Sequence, residues 1–184
     1  MLVQNIYDFL NKLSPFSYQE KWDNAGLIVG SLHSEIKKVY ISIDLDEELL
    51  DEVEENSLII THHPLIFSGL KRVNYDSYST KLLQTLIKKD ISLISMHTNI
   101  DKTHLNKYVV SEILGFKIEN TDEFISYANV NMKFNDLVKY VSNKLNLKTT
   151  KAVKCDDFIK NVAIVTGSGM SLINVCNNFV LYES

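Results

Sequence analysis

Four of the five histidines lie between positions 62 and 104, at His62, His63, His97 and His104. His62 and His63 are adjacent and run into Pro64, and His97 is followed four residues later by Asp101. Imidazole nitrogen suits zinc, iron, cobalt, nickel or manganese, and a carboxylate can bridge two such ions. Divalent cations held this way polarise substrate oxygens and generate a nucleophile from water. The residue before a proline avoids the α region, so the histidine pair is expected on an extended or turning segment. On an extended chain neighbouring side chains point to opposite sides, which suits two neighbouring cations better than one. An ordinary polar loop would carry the same residues without any metal. His104 lies three residues after Asp101, on the same helical face if a helix runs there; it is expected to be an exposed helix histidine. His33, between Leu32 and Ser34, reads as a solvated loop residue.

The elements that must position these residues follow from the apolar pattern. Residues 2–13 place Leu2, Ile6, Phe9, Leu10 and Leu13 at helical spacing, and Ser14-Pro15 ends the run. Strands are expected at 25–30, 39–43, 57–60 and 91–96, with helices at 47–55 and 79–89 between them. Near-continuous apolar strands alternating with helices predict an α/β domain whose sheet is covered on both faces. In such a sheet ligands gather beyond the carboxyl ends of the strands. His62 and His63 follow one strand, His97 and Asp101 the next, so parallel strands would open both loops on one edge. A further helix is expected at 103–114, stopped by Gly115. The pattern is irregular to about 133. A helix follows at 134–145 and a strand at 161–166. The boundary between a first lobe, 1–120, and a second, 121–184, is placed near residue 120.

Two other segments attract notice. Trp22-Asp23-Asn24-Ala25-Gly26-Leu27 puts an acid and an amide before a strand and reads as a turn with an Asx cap. Gly167-Ser168-Gly169 after a strand could form an anion cradle of backbone N–H groups, or simply a tight turn. No HExxH, CxxC or serine-elbow motif is present.

Composition narrows the class. The 184 residues are 45% hydrophobic and 23% charged, with six Gly and two Pro, which excludes a disordered or Pro/Gly-rich chain. Net charge is -4, and Arg72 is the only arginine, so a nucleic-acid partner is not expected. Cys155 and Cys176 lack metal or disulfide spacing and read as free thiols of a cytoplasmic protein. No signal peptide or membrane span is expected.

Three segments, in order, resemble the N-terminal signatures of the NIF3-like family, whose members are labelled GTP cyclohydrolase 1 type 2 homolog. They are Asp23-Asn24-Ala25-Gly26-Leu27-Ile28-Val29-Gly30, Thr61-His62-His63-Pro64-Leu65-Ile66-Phe67 and His97-Thr98-Asn99-Ile100-Asp101. Asp44 and Gly167-Ser168-Gly169 are also similar to family positions. The resemblance implies two related α/β lobes with mixed sheets, a dinuclear divalent-metal site, and assembly with itself as a toroidal homohexamer. By motif match His62, His63 and Asp101 would be metal ligands, and His97 would line the site as the catalytic residue, shuttling a proton. The metals would be two, of iron, zinc, manganese or nickel type. The family's late His-x-x-x-Glu motif is not matched: Val180-Leu181-Tyr182-Glu183-Ser184 has Leu181 where the histidine would stand. The second lobe is therefore expected to be shortened or degenerate, with apolar surface exposed around Val162 to Val165. The implied function is a metal-dependent hydrolase of unknown substrate; the alternative is a non-catalytic metal-binding or regulatory scaffold.

Overall fold

The computed structural model describes residues 1–154, 156–167, 169 and 172, with 180–182 as backbone. Cys155, Cys176 and Ser168 lie outside the described residues, and with them the readings of free thiols and of a cradle or tight turn at 167–169. The chain divides into two compact units, Met1–Ile100 and Asp101–Ser184. Residue 120 falls inside a strand of the second.

The first unit is built on a four-stranded mixed sheet ordered β1-β4-β3-β2. Its strands are β1 (Gly26–Val29), β2 (Lys38–Ser42), β3 (Ser57–Thr61) and β4 (Ser92–Ser95). β2, β3 and β4 run parallel in register, and β1 is antiparallel to β4. Because side chains alternate across a strand, β3 and β4 feed two cores. Ile59 and Leu93 pack with Leu50, Leu82 and Leu86 from helices α2 (Glu47–Glu52) and α3 (Tyr78–Lys88). Leu58 and Ile94 pack on the other face with Val3 and Leu10 of α1 (Val3–Leu13) and with Phe16. Burying one such side chain stabilises by about 1.5–3 kcal/mol, so the two central strands are the fixed frame of the unit. One glycine is required by this packing. Gly30 has φ +98°, and a Cβ there would meet Ser92 Oγ at 2.3 Å and its Cα at 3.0 Å.

Helical backbone begins at Thr98, five residues before the sequence pattern predicts it. The turn α4 (Thr98–Ile100) closes the first unit, and the second opens on Asp101–Leu105 in π geometry. α5 (Asn106–Tyr108) and a second π segment, Val109–Ile113, follow. Gly115 ends the run with φ +69°, as expected.

The second unit also holds a four-stranded mixed sheet, ordered β5-β6-β7-β8. β5 (Ile118–Asp122), β6 (Ile125–Lys133) and β7 (Phe158–Ile164) are successively antiparallel, and β8 (Val180–Tyr182) is parallel to β7. Residues 116–133, irregular in the sequence reading, thus form most of a hairpin. α6 (Phe134–Lys144) lays Phe134, Leu137 and Val141 against Val162, Ile164, Val110 and Leu114. The expectation of exposed apolar surface at 162–165 is corrected here. Val162, Ala163, Ile164 and Val165 are each at most 4% exposed. β7 is an interior strand between β6 and β8, and its alternate side chains enter two different cores. Among the described residues no helix is long and apolar enough to cross a membrane.

Candidate metal centre

β3 and β4 end side by side, with Thr61 registered against Ser95. The two strand ends are clasped beyond their last ladder pair. Met96 N–H donates to the Thr61 carbonyl at 2.8 Å. Thr61 Oγ1 donates to the His63 carbonyl at 2.9 Å, so its 2.9 Å contact with Ser95 Oγ takes the serine proton. Both hydroxyls are buried. The loops that leave these ends are therefore held together before any histidine is considered.

The backbone at 62 and 63 bends, because both amides turn toward one acceptor. His62 N–H and His63 N–H each reach the Ile43 carbonyl at 3.1 Å. The opposite-facing arrangement expected of an extended pair is corrected by this bend. The rings of His62 and His63 lie 4.8 Å apart, and His97 lies 5.2 and 5.6 Å from them. The three residues can each offer a nitrogen such that all the nitrogens lie within 4.8 Å of one another.

Which nitrogen is offered follows from the partners. His62 Nδ1 sits 2.9 Å from the Met96 carbonyl, which can only accept, so Nδ1 carries the proton and Nε2 the lone pair. His63 Nδ1 donates to Asp44 Oδ1 at 2.7 Å. His97 Nδ1 donates to Asp23 Oδ1 at 2.7 Å. In all three rings the proton is thereby on Nδ1, which leaves Nε2 as the nitrogen that could be offered to a metal ion. A ligating histidine characteristically donates its other ring N–H to a carbonyl or carboxylate, which fixes tautomer and orientation and raises basicity.

The three anchors differ in burial. The Asp23 side chain is 0% exposed and that of His97 15%, whereas His63 and Asp44 are 51% and 65% exposed. Asp23 is the residue the sequence reading missed. It does cap its own turn, accepting from Asn24 N–H at 2.7 Å. Its second oxygen accepts from Thr98 N–H at 3.0 Å and from the Thr98 hydroxyl. It therefore caps the helical run that starts at Thr98 from 75 residues away, which explains why local capping signals misplaced that start. Asn99 completes the turn, accepting from His97 N–H at 3.0 Å and donating to the Ser14 carbonyl at 2.9 Å.

Burial pushes the Asp23 carboxyl up, but the bonds from Thr98, His97 and the Asn24 and Thr98 amides outweigh it and hold it below the usual aspartate value. Burial, then the neighbouring His63 and His97, push His62 below the ordinary imidazole value, against the opposing pull of the Met96 bond and Asp23. His62 is therefore neutral, and competent to ligate, at pH 7. Asp101 stands in the first turn of the second unit. His104 is exposed there and bonds Thr103 Oγ1 at 2.9 Å, as expected of a surface helix histidine. His33 lies outside the group.

Comparison with known proteins places the chain in a family. The chain matches the family model described as Duf34/NIF3 (NGG1p interacting factor 3) over residues 1–178. It is 50% identical over 175 residues to a protein of Campylobacter jejuni named GTP cyclohydrolase 1 type 2 homolog, covering 95% of this chain and 73% of that one. It is 41% identical to the GTP cyclohydrolase 1 type 2 of Helicobacter pylori strain J99, covering 94% and 72%. Among solved structures, a hypothetical protein of Staphylococcus aureus superposes with a TM-score of 0.85 at 24% identity, covering 100% of this chain and 79% of that one. A Bacillus cereus protein related to NIF3 does so with a TM-score of 0.81 at 19% identity, covering 96% and 79%. With its signature segments, its two mixed sheets and its histidine group in place, the chain belongs to the Duf34/NIF3 family.

Proposed function

We propose that His62, His63 and His97 hold a divalent metal ion through their Nε2 atoms, and that the protein is a metal-dependent hydrolase. One observation carries the reading: every ring in the group has its Nδ1 tied to an oxygen acceptor. Three imidazoles that meet by accident have no reason to share that pattern. Neutral imidazole donors fit zinc, iron, cobalt, nickel or manganese, and three of them leave coordination positions for substrate and water. When bound, such a cation supplies Lewis-acid polarisation of a substrate oxygen and acidifies water. The chain's own residues do the positioning. Asp23 orients His97, the Met96 carbonyl orients His62, and Asp44 orients His63. Hydrolysis would add water across a bond to an electrophilic carbon or phosphorus, with the water's proton passing to the leaving group.

In this reading His97 serves as a third ligand in place of the proton shuttle expected from sequence. Asp101, in the same motif as His97, is proposed as an oxygen donor to a second cation on the strength of that motif.

The test measures metal content and turnover on one preparation. The chain and its His63→Ala and Asp101→Asn variants would be loaded with Zn(II), Mn(II) or Fe(II), desalted and analysed. They would then be assayed against phosphoester, nucleotide and cyclic-amide substrates. The proposal expects stoichiometric metal, lost in His63→Ala, and turnover that follows metal content. A chain that retains no metal would refute the centre. Full metal with no turnover across the panel would favour a non-catalytic scaffold.

A further inference from the structure

Two large aromatic side chains stand in the open beside the histidines. Trp22 is 59% exposed and Phe67 49%, and neither belongs to the apolar cores of the first unit. Their ring centroids are 5.8 Å apart at a tilt of 45°. Each lies 6.3 Å from the His97 ring, at 77° and 79° to it. Exposing this much aromatic surface is unfavourable unless something covers it in use.

The loops that bear the rings are also held. Asn24 Nδ2 donates to the Ile66 carbonyl at 2.6 Å, which staples the loop bearing Trp22 to the loop bearing Phe67. The Gln19 amide braces the first loop from within, accepting from Ala25 N–H at 2.7 Å and donating to its carbonyl at 3.2 Å. Asp23, next to Trp22, is fixed by His97 and Thr98. Leu65, two residues before Phe67, packs on a buried core. Two rings on braced loops, in contact range of each other, lose less freedom when a ligand arrives than rings on free loops would.

We propose that Trp22 and Phe67 form a stacking platform that receives a planar heteroaromatic ring of the substrate and delivers its reacting group to the histidines. The proposal rests on the metal-centre reading and names the substrate class for it. The spacing decides the mode of stacking. A ring sandwiched between two others needs about 7 Å, twice a van der Waals contact. At 5.8 Å the gap is too small, so the ligand lies on the pair rather than between them. One face of the ligand ring is then stacked and the other remains open. Aromatic faces select flat, polarised rings over puckered aliphatic ones through their quadrupoles. Nucleobase-type rings are the best attested partners for such side chains.

The chain provides its own reporter, because Trp22 is its only tryptophan. The Zn(II)-loaded protein would be titrated with adenosine and guanosine, which carry the ring without phosphate, and with ribose 5-phosphate, which carries phosphate without the ring. Fluorescence excited at the red edge, where the nucleosides absorb little, would be read, with calorimetry as a second measure. The platform predicts saturable quenching by the nucleosides and none by ribose 5-phosphate. Phe67→Leu keeps apolar bulk but removes the ring, and should weaken nucleoside binding by roughly five- to hundredfold. Phe67→Tyr should bind within roughly threefold of the parent. No saturable response to either nucleoside at millimolar concentration would overturn the platform. So would unchanged affinity in Phe67→Leu, or equal binding of ribose 5-phosphate. Metal content on the same samples separates the two readings. A metal-free chain that still binds a nucleoside through Phe67 supports the platform and refutes the metal centre. A metal-loaded chain that ignores both nucleosides overturns the platform alone.

Discussion

Replacing Asp23 by asparagine preserves the shape of the side chain but turns one acceptor oxygen into a donor. In the native protein one oxygen accepts from His97 Nδ1 and Asn24 N–H, the other from the Thr98 amide and hydroxyl. Whichever way the amide is turned, its NH2 group faces two donors. Each donor left without an acceptor in a buried position costs about 1–3 kcal/mol. The side chain is fully buried, so water cannot substitute freely. Allowing for rotation of the Thr98 hydroxyl, the expected loss is about 2–4 kcal/mol of folding stability. His97 also loses its negatively charged anchor, and loss of such an outer partner lowers metal affinity by about 10–100-fold. Urea unfolding of the metal-free protein reads the first effect; titration against a competing chelator reads the second. His97→Gln is the control, expected to weaken metal binding with a smaller loss of stability. Asp23→Asn with parent stability and metal affinity within threefold of parent would refute the argument that this carboxylate both caps the Thr98 turn and orients the ring. The acid limb supplies a third reading. Because Asp23 titrates below its ordinary value of 3.8 in the folded protein, its contribution is complete above that value and is lost as pH falls through the folded one.

His62 gives a pH dependence in a different window. Its folded value lies below the ordinary imidazole value of 6.5, so the metal-free protein should have its full His62 contribution above pH 6.5 and lose it as pH falls through the folded value; urea unfolding at stepped pH should show this, and His62→Gln should flatten the step. Gly30→Ala forces a Cβ into Ser92 at a positive φ and should destabilise by about 2–4 kcal/mol, seen as a lower urea midpoint. His63→Ala removes a half-exposed ring and should change stability by no more than about 0.5 kcal/mol while abolishing metal retention after desalting. If that variant unfolds instead, His63 is a structural residue.

The centre of the first unit's sheet was legible because β3 and β4 are buried on both faces and leave unbroken apolar runs such as Leu58-Ile59-Ile60 and Leu93-Ile94. The hairpin of β5 and β6 was not. Its turn places Glu123 at φ +44°, where glycine or asparagine is the usual signal, so no turn was announced. Along β6 the apolar residues begin with Ile125 and Tyr127 and continue with Ala128, Val130 and Met132 packed on a different core, while the pairing slips between Asn129 and Met132. That mixture reads as irregular in one dimension. The histidine residues of the site were legible from residue type and from the rule that parallel strands open on one edge. Asp23 was not, because its work is done at a separation of 74 residues from His97 and nothing local distinguishes it from any Asx turn. The orientation of His62 and His63 was misjudged for a related reason. The bend at that pair is imposed by the Ile43 carbonyl, just beyond the end of β2, not by the residues themselves.

The unequal anchoring of the three rings has a kinetic and a mutational consequence. His62 is oriented by a main-chain carbonyl, which no side-chain replacement can remove. His97 is held by a carboxylate sealed from solvent. His63 alone leans on a solvent-facing carboxylate, a contact that salt screens and that contributes little to rigidity. A bound cation would thus have a preferred door: His63 swings away first, and His62 and His97 keep their places for the next ion. Exchange rates should respond to ionic strength and to changes at Asp44, while the two inner rings set how tightly the ion is held. In a lineage under pressure to alter metal turnover, position 44 is where the change costs the fold least.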